Sequence, residues 1–324
     1  MKKILLLAVL FLGLYFSARV LLVWDKPNSE DVTRVSLEIV PGTSVKRIAF
    51  LLKEKDLILD DFVFRVFVKL NGLESKLQAG DYILQKNLTL SEITDILQHG
   101  KSQEMKITIP EGSTIDQIDE ILTKKSLIEA GDFKKCTATC DLGFSISTLE
   151  GYLFPSTYFI NTNNFSSKKF IQRLYRNFNV QIADFRIDIQ KNGRTLEEIV
   201  IVASMIEREA FGDSYEEKQK IANVIWKRLD ERMYLGIDAT TRYELGDWKR
   251  PLYTEDFESN SPYNTRRKLG LPPTAISNPG VLSLKSAIYP QETPYYYYLH
   301  DRNGGVHFGK TLQEHNENKL KYLY

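Results

Sequence analysis

The segment EEIVIVASMIEREAFG, Glu197 to Gly212, carries two carboxylates placed where they could do chemistry, Glu207 and Glu209. Wound at 100° per residue, Leu196, Ile199, Val200, Ala203, Ile206 and Ala210 share one arc, which predicts a helix with a wide buried stripe, stopped at Gly212. Glu207 projects into the middle of that arc, between Leu196 and Val200, and Glu209 falls on its rim beside Val202 and Met205. An ionised carboxylate facing a core is costly unless paired, and a carboxyl against an apolar wall keeps its proton to higher pH. A general acid working at neutral pH needs that environment. Helical spacing alone favours a plainer reading: two ordinary helix carboxylates, one satisfied by an Arg or Tyr and the other solvated.

The rest of the chain must hold this helix. Met1–Trp24, MKKILLLAVLFLGLYFSARVLLVW, begins with two lysines and continues with apolar sequence long enough to span a bilayer. Lys2 and Lys3 place the N-terminus in the cytoplasm and everything after Trp24 outside the inner membrane. A cleaved leader is the alternative, with Phe16-Ser17-Ala18 a weak cut site, but the apolar run resumes at Val20–Val23 and favours a retained anchor. After a polar tether, VSLEIVPGTSVKRIAFLLKEKDLI reads as a strand leading into a helix capped by Thr43 or Ser44. ITIPEGSTIDQIDEILTKKSLI repeats it: Gly42, Ile48, Leu52 and Leu57 recur as Gly112, Ile118, Leu122 and Leu127, the mark of a duplicated strand-turn-helix unit. Between the copies, Asp60–Leu70 reads as a helix, LQAGDYILQ as a strand and Leu88–Gly100 as a helix.

Downstream, Leu149–Thr157 clusters aromatics around Glu150, helices are expected near Lys168–Asn179 and over Tyr215–Tyr234, and Asn192-Gly193 turns the chain before the central helix. From Leu235 regular structure thins. Asp238–Thr241, Ser261–Thr265 and Gly270–Pro273 read as loops suited to lining a groove, Tyr295–His300 with Gly305–Phe308 as a hairpin, and Thr311–Tyr324 as a closing helix. With 43 basic and 42 acidic residues the net charge is +1, so no nucleic-acid partner is expected. Cys136 and Cys140 have no His or further Cys at zinc spacing, and a short-loop disulfide fits an oxidising compartment. No phosphate loop, serine nucleophile motif or metal constellation is present, so neither cofactor nor metal is expected. His307, in a strand, and His315, in the last helix, read as structural histidines.

LEGYLFPSTY, then KIANVIWKRLDERMYLGIDATTRYELG, SPYNTRRKLGLPPTAISNPG, TPYYYYLHDRNGGVHFG and TLQEHN resemble, in order and spacing, the catalytic domain of the endolytic murein transglycosylases, the YceG-like family. The resemblance runs from Leu149 to the C-terminus, with weaker agreement upstream. It implies that Glu209, the second glutamate of the E-x-E pair, is the catalytic residue and that Glu207 supports it. It also implies that Tyr263 and Asn264, in the family's loop signature, with Asp238, Thr240 and Glu150, bind substrate or support the site; for the first four, capping a loop is the equal alternative. The strand-helix-helix-strand order with its Pro-Gly-Thr entry is similar to a LysM-type carbohydrate-binding module, acting either in glycan contact or as a spacer.

The expected fold is α+β: a single transmembrane helix, LysM-like modules, and a mainly helical, lysozyme-like catalytic domain with a short β-hairpin. The expected segments are 1–24 (cytoplasmic tip and anchor), 25–104 (LysM-like module), 105–145 (second small module or linker) and 146–324 (catalytic domain). The family's chemistry is cleavage of the MurNAc–GlcNAc bond of nascent peptidoglycan strands without water. One glutamate protonates the glycosidic oxygen, then takes the C6 hydroxyl proton as a 1,6-anhydro ring closes, a step implied to end strand elongation. Peptidoglycan strands, the membrane and peptidoglycan synthases are the implied partners. Two other readings stay open: a hydrolase in which Asp238 or Glu207 activates water, and a non-catalytic wall-binding scaffold.

Overall fold

The computed structural model describes residues 24, 26–99, 104–144, 146–162, 165–210, 212 and 214–323. The expected anchor over residues 1–24 lies outside them except for Trp24, and no helix among the described residues is long and apolar enough to cross a membrane. The described residues fall into two compact units, one from Met1–Met105 with Ile160–Asn164, the other from Lys106–Phe159 with Phe165–Tyr324.

In the first unit β1 (Arg34–Ile39) pairs antiparallel with β2 (Gly80–Gln85), Arg34 opposite Gln85 and Ile39 opposite Gly80. Between them lie α1 (Val45–Glu54) and α2 (Asp61–Leu70), and α3 (Leu90–Gln98) comes after β2. Strand alternation turns Leu37, Ile39, Tyr82 and Leu84 inward, onto Ile48, Leu52, Phe64, Ile93 and Leu97. Ser44, Asp60 and Thr89 cap the three helices with side-chain oxygens on first-turn N–H groups.

The duplication is geometric as well as sequential. β3 (Glu104–Ile109) and α4 (Ile115–Lys124) lie seventy positions after β1 and α1, and Thr114 caps where Ser44 did. Both copies turn on a glycine with positive φ, +82° at Gly42 and +75° at Gly112, where a side chain would be strained. Both end on a left-handed residue that is not glycine, Asp56 and Ser126. α5 (Asp132–Thr139) is next, with Cys136 bridged to Cys140 across its end, and β4 (Ser156–Asn161) pairs with β3. The order strand-helix-helix-strand therefore occurs twice, the second copy closed by a strand that opens at the end of the aromatic LEGYLFPST stretch.

Helices dominate the C-terminal half of the chain: α6 (Ser167–Ala183), α7 (Arg186–Lys191), α8 (Leu196–Glu209), α9 (Tyr215–Asp230), α10 (Asp238–Leu245) and α11 (Val281–Ile288). The hairpin β5 (Tyr297–His300) and β6 (Val306–Gly309) and the last helix α12 (Leu312–Tyr322) close the chain as expected. α8 is buried all round from Ile199 to Ile206, because α9, α10 and α11 pack against it. Three local readings need correction. α8 stops at Glu209, where Ala210 turns extended (φ −73°, ψ 135°), and does not run on to Gly212. Asp238–Thr241 opens a helix instead of a loop: the β-branched pair Thr240-Thr241 is a weak helix former, but its burial and a left-handed Gly246 cap override propensity. α11 was not foreseen, since eight residues are too few to display a helical period.

Candidate active site

α8 is fixed before its last residue is placed. Its N-terminus carries a reciprocal capping box, in which the Thr195 side chain accepts from the Glu198 N–H and Glu198 accepts from the Thr195 N–H. Midway, fully buried Ser204 ties it to the chain before α11: its Oγ accepts from the Ile276 N–H at 3.0 Å, and its carbonyl accepts from the Ser277 hydroxyl at 3.2 Å. The last residue, Glu209, projects into an open cleft of ≈ 520 Å³, also lined by Asp238, Arg228, Arg266, Tyr297 and Tyr298. The Tyr298 hydroxyl donates to Glu209 Oε2 at 3.1 Å and the Ala239 N–H also donates to this carboxylate. Burial, with the nearby negative charge of Asp238, pushes the Glu209 carboxyl up to about 7 against the pull of those two hydrogen bonds and of Arg266. Arg266 closes on Asp238 at 2.5 Å, and among the described residues no cation is ion-paired with Glu209. A half-buried carboxyl, open on one side and protonated near neutrality, is equipped to hand over a proton.

Glu207, two residues earlier, is locked. Its Oε1 meets Lys218 Nζ at 3.0 Å, with only 7% and 1% of the two side chains exposed, and its Oε2 accepts from the Gly280 N–H at 2.8 Å. The helical wheel anticipated a satisfied carboxylate there, although the partner is a lysine and not an Arg or Tyr. An ion-paired carboxylate without open space beside it is badly placed to activate water.

Glu150 is a second carboxyl with an unusual environment. It is 3% exposed and receives hydrogen bonds from the Ile115 N–H (3.2 Å), Asn278 Nδ2 (3.0 Å) and the Tyr243 hydroxyl (3.3 Å). Burial pushes it up to about 7 despite those donors. It is a knot between the start of α4, α10 and the chain before α11, enclosed away from the Glu209 cleft. Asn278 ties the same knot with its other atoms: Oδ1 accepts from the Gly151 and Leu153 N–H groups at 3.0 and 2.8 Å, and Nδ2 also donates to Ser113 O. Arg208 lines the Glu209 cleft, donates to Gln117 Oε1 at 2.8 Å and lies 3.6 Å over the Trp248 ring; burial draws its guanidinium down to about 10, still cationic at pH 7.

Of the remaining candidates, Asp238 lines the Glu209 cleft. Thr240 is fully buried, its hydroxyl donating to Ile237 O and meeting Thr265 Oγ1, so it shapes the start of α10. Asn264 is fully buried too: Nδ2 donates to Phe257 O and Ser259 O, and Oδ1 accepts from the Arg266 N–H, which presents Arg266 to Asp238. Tyr263 lines a separate cleft of ≈ 620 Å³ with Tyr243 and Trp248. His307 is held by Asp301 at 2.8 Å and stacked on Tyr322, as a structural histidine would be, but His315 lines the Glu209 cleft. Tyr298, Arg266, Lys218 and Asn278 escaped sequence reasoning. Only the TPYYYYLH run held a usable signal, since period-two alternation sends Tyr296 and Tyr298 to one face of the strand.

The chain matches the YceG-like family over residues 37–321. It is 35% identical to an endolytic murein transglycosylase of Bacillus subtilis (strain 168), across 91% of this chain and 87% of that protein. It is 25% identical to an endolytic murein transglycosylase of Streptococcus pneumoniae serotype 2, across 98% of this chain and 64% of the relative. A 2.6 Å crystal structure of a yceG-like protein from Listeria monocytogenes superposes with a TM-score of 0.61 at 32% identity, covering 88% of this chain and 99% of the other. On the family match and the Bacillus relative together, the chain belongs to the YceG-like family.

Proposed function

We propose that this protein is a peptidoglycan lytic transglycosylase that cuts glycan strands internally, with Glu209 as its single acid and base. The carrying observation is the contrast within the E-x-E pair: Glu207 is neutralised by Lys218, whereas Glu209 faces the open cleft with no ion pair among the described residues and has its carboxyl pushed up to about 7. Protonated Glu209 gives its proton to the oxygen linking N-acetylmuramic acid to N-acetylglucosamine, and the C–O bond breaks as positive charge grows at the anomeric carbon. The resulting carboxylate then takes the proton of the muramyl C6 hydroxyl, whose oxygen closes onto the anomeric carbon. No water is consumed and the carboxyl ends protonated, ready for the next cut. Tyr298 stays neutral, since burial and Glu209 raise its hydroxyl well above its ordinary value, and its hydrogen bond fixes one carboxyl oxygen while the other faces substrate. The names of the Bacillus and Streptococcus relatives support this reading.

Residues 1–24 are the anchor in this reading, so that the enzyme works outside the inner membrane on nascent strands, beside the synthases that extend them, and ends their elongation. The paired strand-helix-helix-strand units are LysM-like modules, and the helical region carries its acid at a helix end beside a groove, as lysozymes do. Mass analysis of products from uncrosslinked strands tests the reaction. Anhydro ends, lighter by one water than hydrolysed ends, are expected from the wild type and none from Glu209→Gln; hydrated ends would establish the hydrolase, with Asp238 the carboxylate left to activate water. A wild-type ectodomain that cuts nothing would leave only the scaffold.

A further inference from the structure

The cleft that holds Glu209 has a second chemical feature, an excess of positive charge with no counter-ion. Arg266 is neutralised by Asp238, and Glu209 is protonated in part near neutrality. Arg208, on the same lining, has the carboxyls of Glu150 and Glu207 in its field, which leaves Arg228 and Lys319. Arg228 uses Nε and Nη1 on backbone carbonyls, those of Tyr296 and Leu235 at 2.7 Å each and of Tyr234 at 3.4 Å, so its charge meets no carboxylate. Lys319, on α12, makes no side-chain hydrogen bond or ion pair among the described residues, although it lines the cleft and is only partly exposed. Two cations in one cleft with nothing opposite them raise each other's free energy until an anion arrives.

Between them stands His315. It stacks on Tyr297 with ring centroids 5.1 Å apart, and the Arg228 guanidinium lies 4.8 Å over that same tyrosine. Burial, then the positive charges of Lys319 and Arg228, hold the His315 imidazole down to about 4, so it is neutral at physiological pH. Its Nδ1 is enclosed and has no hydrogen-bond partner, which buried polar atoms rarely tolerate unless something else completes them. A carboxyl group whose oxygens accept from Lys319 and Arg228 would supply the missing anion beside this ring.

We propose that Lys319, His315 and Arg228 form a subsite for a carboxylate carried by the muramyl unit bound beside Glu209. The inference rests on the transglycosylase reading and adds to it what the substrate must bear. Two sources share that chemistry. The C3 lactyl ether of a muramyl unit without a peptide ends in a carboxylate; in a peptide-bearing unit that group is an amide and the free carboxylates lie on the peptide. Electrostatic attraction to either would secure the strand in the cleft and leave the proton transfers to Glu209.

Steady-state cleavage of three soluble strand preparations tests this: peptide-bearing, peptide-bearing with every carboxylate amidated, and stripped of peptides. The wild-type protein, full length in detergent, is compared with Lys319→Met, which keeps the aliphatic stem, and with Lys319→Glu. Lys319 has no partner to lose, so both variants fold. For Lys319→Met, KM rises about three- to tenfold with kcat within about twofold, as expected for one partly exposed charge-assisted contact. Lys319→Glu raises KM further, and added salt narrows the gap. The effect vanishes on amidated strands, which have neither carboxylate. Its appearance on stripped strands assigns the lactyl group, and on peptide-bearing strands the peptide. Unchanged KM on all three preparations, or an equal effect on amidated strands, overturns the subsite while leaving the transglycosylase reading intact. A wild type that makes no anhydro ends from any strand overturns both.

Discussion

Glu207 and Glu209 share a side-chain type and a helix, and their neighbours divide the work between them. Lys218 and the Gly280 N–H absorb Glu207; Tyr298, the Ala239 N–H and a neighbouring Asp238 leave Glu209 able to hold a proton near 7. Cleavage should therefore decline as pH rises through about 7, approaching tenfold per pH unit beyond it, as the fraction of protonated acid falls. Tyr298→Phe removes a bond that favours the ionised form, so this alkaline limb should move to higher pH, with kcat falling by less than about tenfold. Glu207→Gln tests the other half: it strands buried Lys218 and should destabilise the fold by about 3–5 kcal/mol in denaturant melts, most of which Glu207→Gln with Lys218→Met should restore. Glu150 yields a pH effect on stability. Its folded-state pKa, about 7, lies above the ordinary 4.5, so the fold holds this proton more tightly than the unfolded chain does. The associated stability is fully present below about 4.5 and is lost as pH rises to 7, roughly 3 kcal/mol in all. Glu150→Gln can still accept from the Ile115 N–H and Asn278, while Tyr243 reverses its hydroxyl; its stability should be flatter across that window than the wild type's. The helical wheel separated Glu207 from Glu209, because depth depends on spacing. It was silent on Lys218 and Tyr298, which reach the site from other elements and carry no local signature.

At the scale of elements, the chain around Gly151 approaches α8 closely. Gly151 has φ +93°, and a Cβ there would come within 2.5 Å of both Ala275 Cβ and Val200 Cγ1. Gly151→Ala should cost on the order of 2–4 kcal/mol from overpacking and backbone strain together, read as a lowered denaturation midpoint with unchanged slope. The periodic elements were readable in advance: the duplicated strand-turn-helix, α8, α9, the hairpin and α12 all carry repeating apolar positions or caps. The failures share one cause. α10 starts with poor helix formers and α11 spans only eight residues, so neither is helical by its own sequence; each is helical because α8 offers a buried face to cover. Asn278, which joins the Gly151 loop to the second repeat and to Glu150, looks in sequence like one more residue of a Ser-Asn-Pro-Gly turn.

Across the whole molecule, every group used in the proposed reaction lies in the second compact unit, and the Cys136–Cys140 bridge lines neither the Glu209 cleft nor the cleft beside Tyr263. Removing residues 1–24 should therefore leave kcat/KM on soluble strands within about twofold of the full-length protein in detergent, while abolishing sedimentation with membranes. Reducing the disulfide should lower the melting temperature without changing the cleavage rate. The family match runs over residues 37–321, well beyond the C-terminal motifs that carry the resemblance in the sequence. The most direct measurement is the mass of glycan ends released by the wild type and by Glu209→Gln from the same uncrosslinked strands. Anhydro-muramyl ends from the wild type alone are the expected result; hydrated ends, or anhydro ends produced equally well without the Glu209 carboxyl, would contradict a single glutamate that both gives and retrieves the proton.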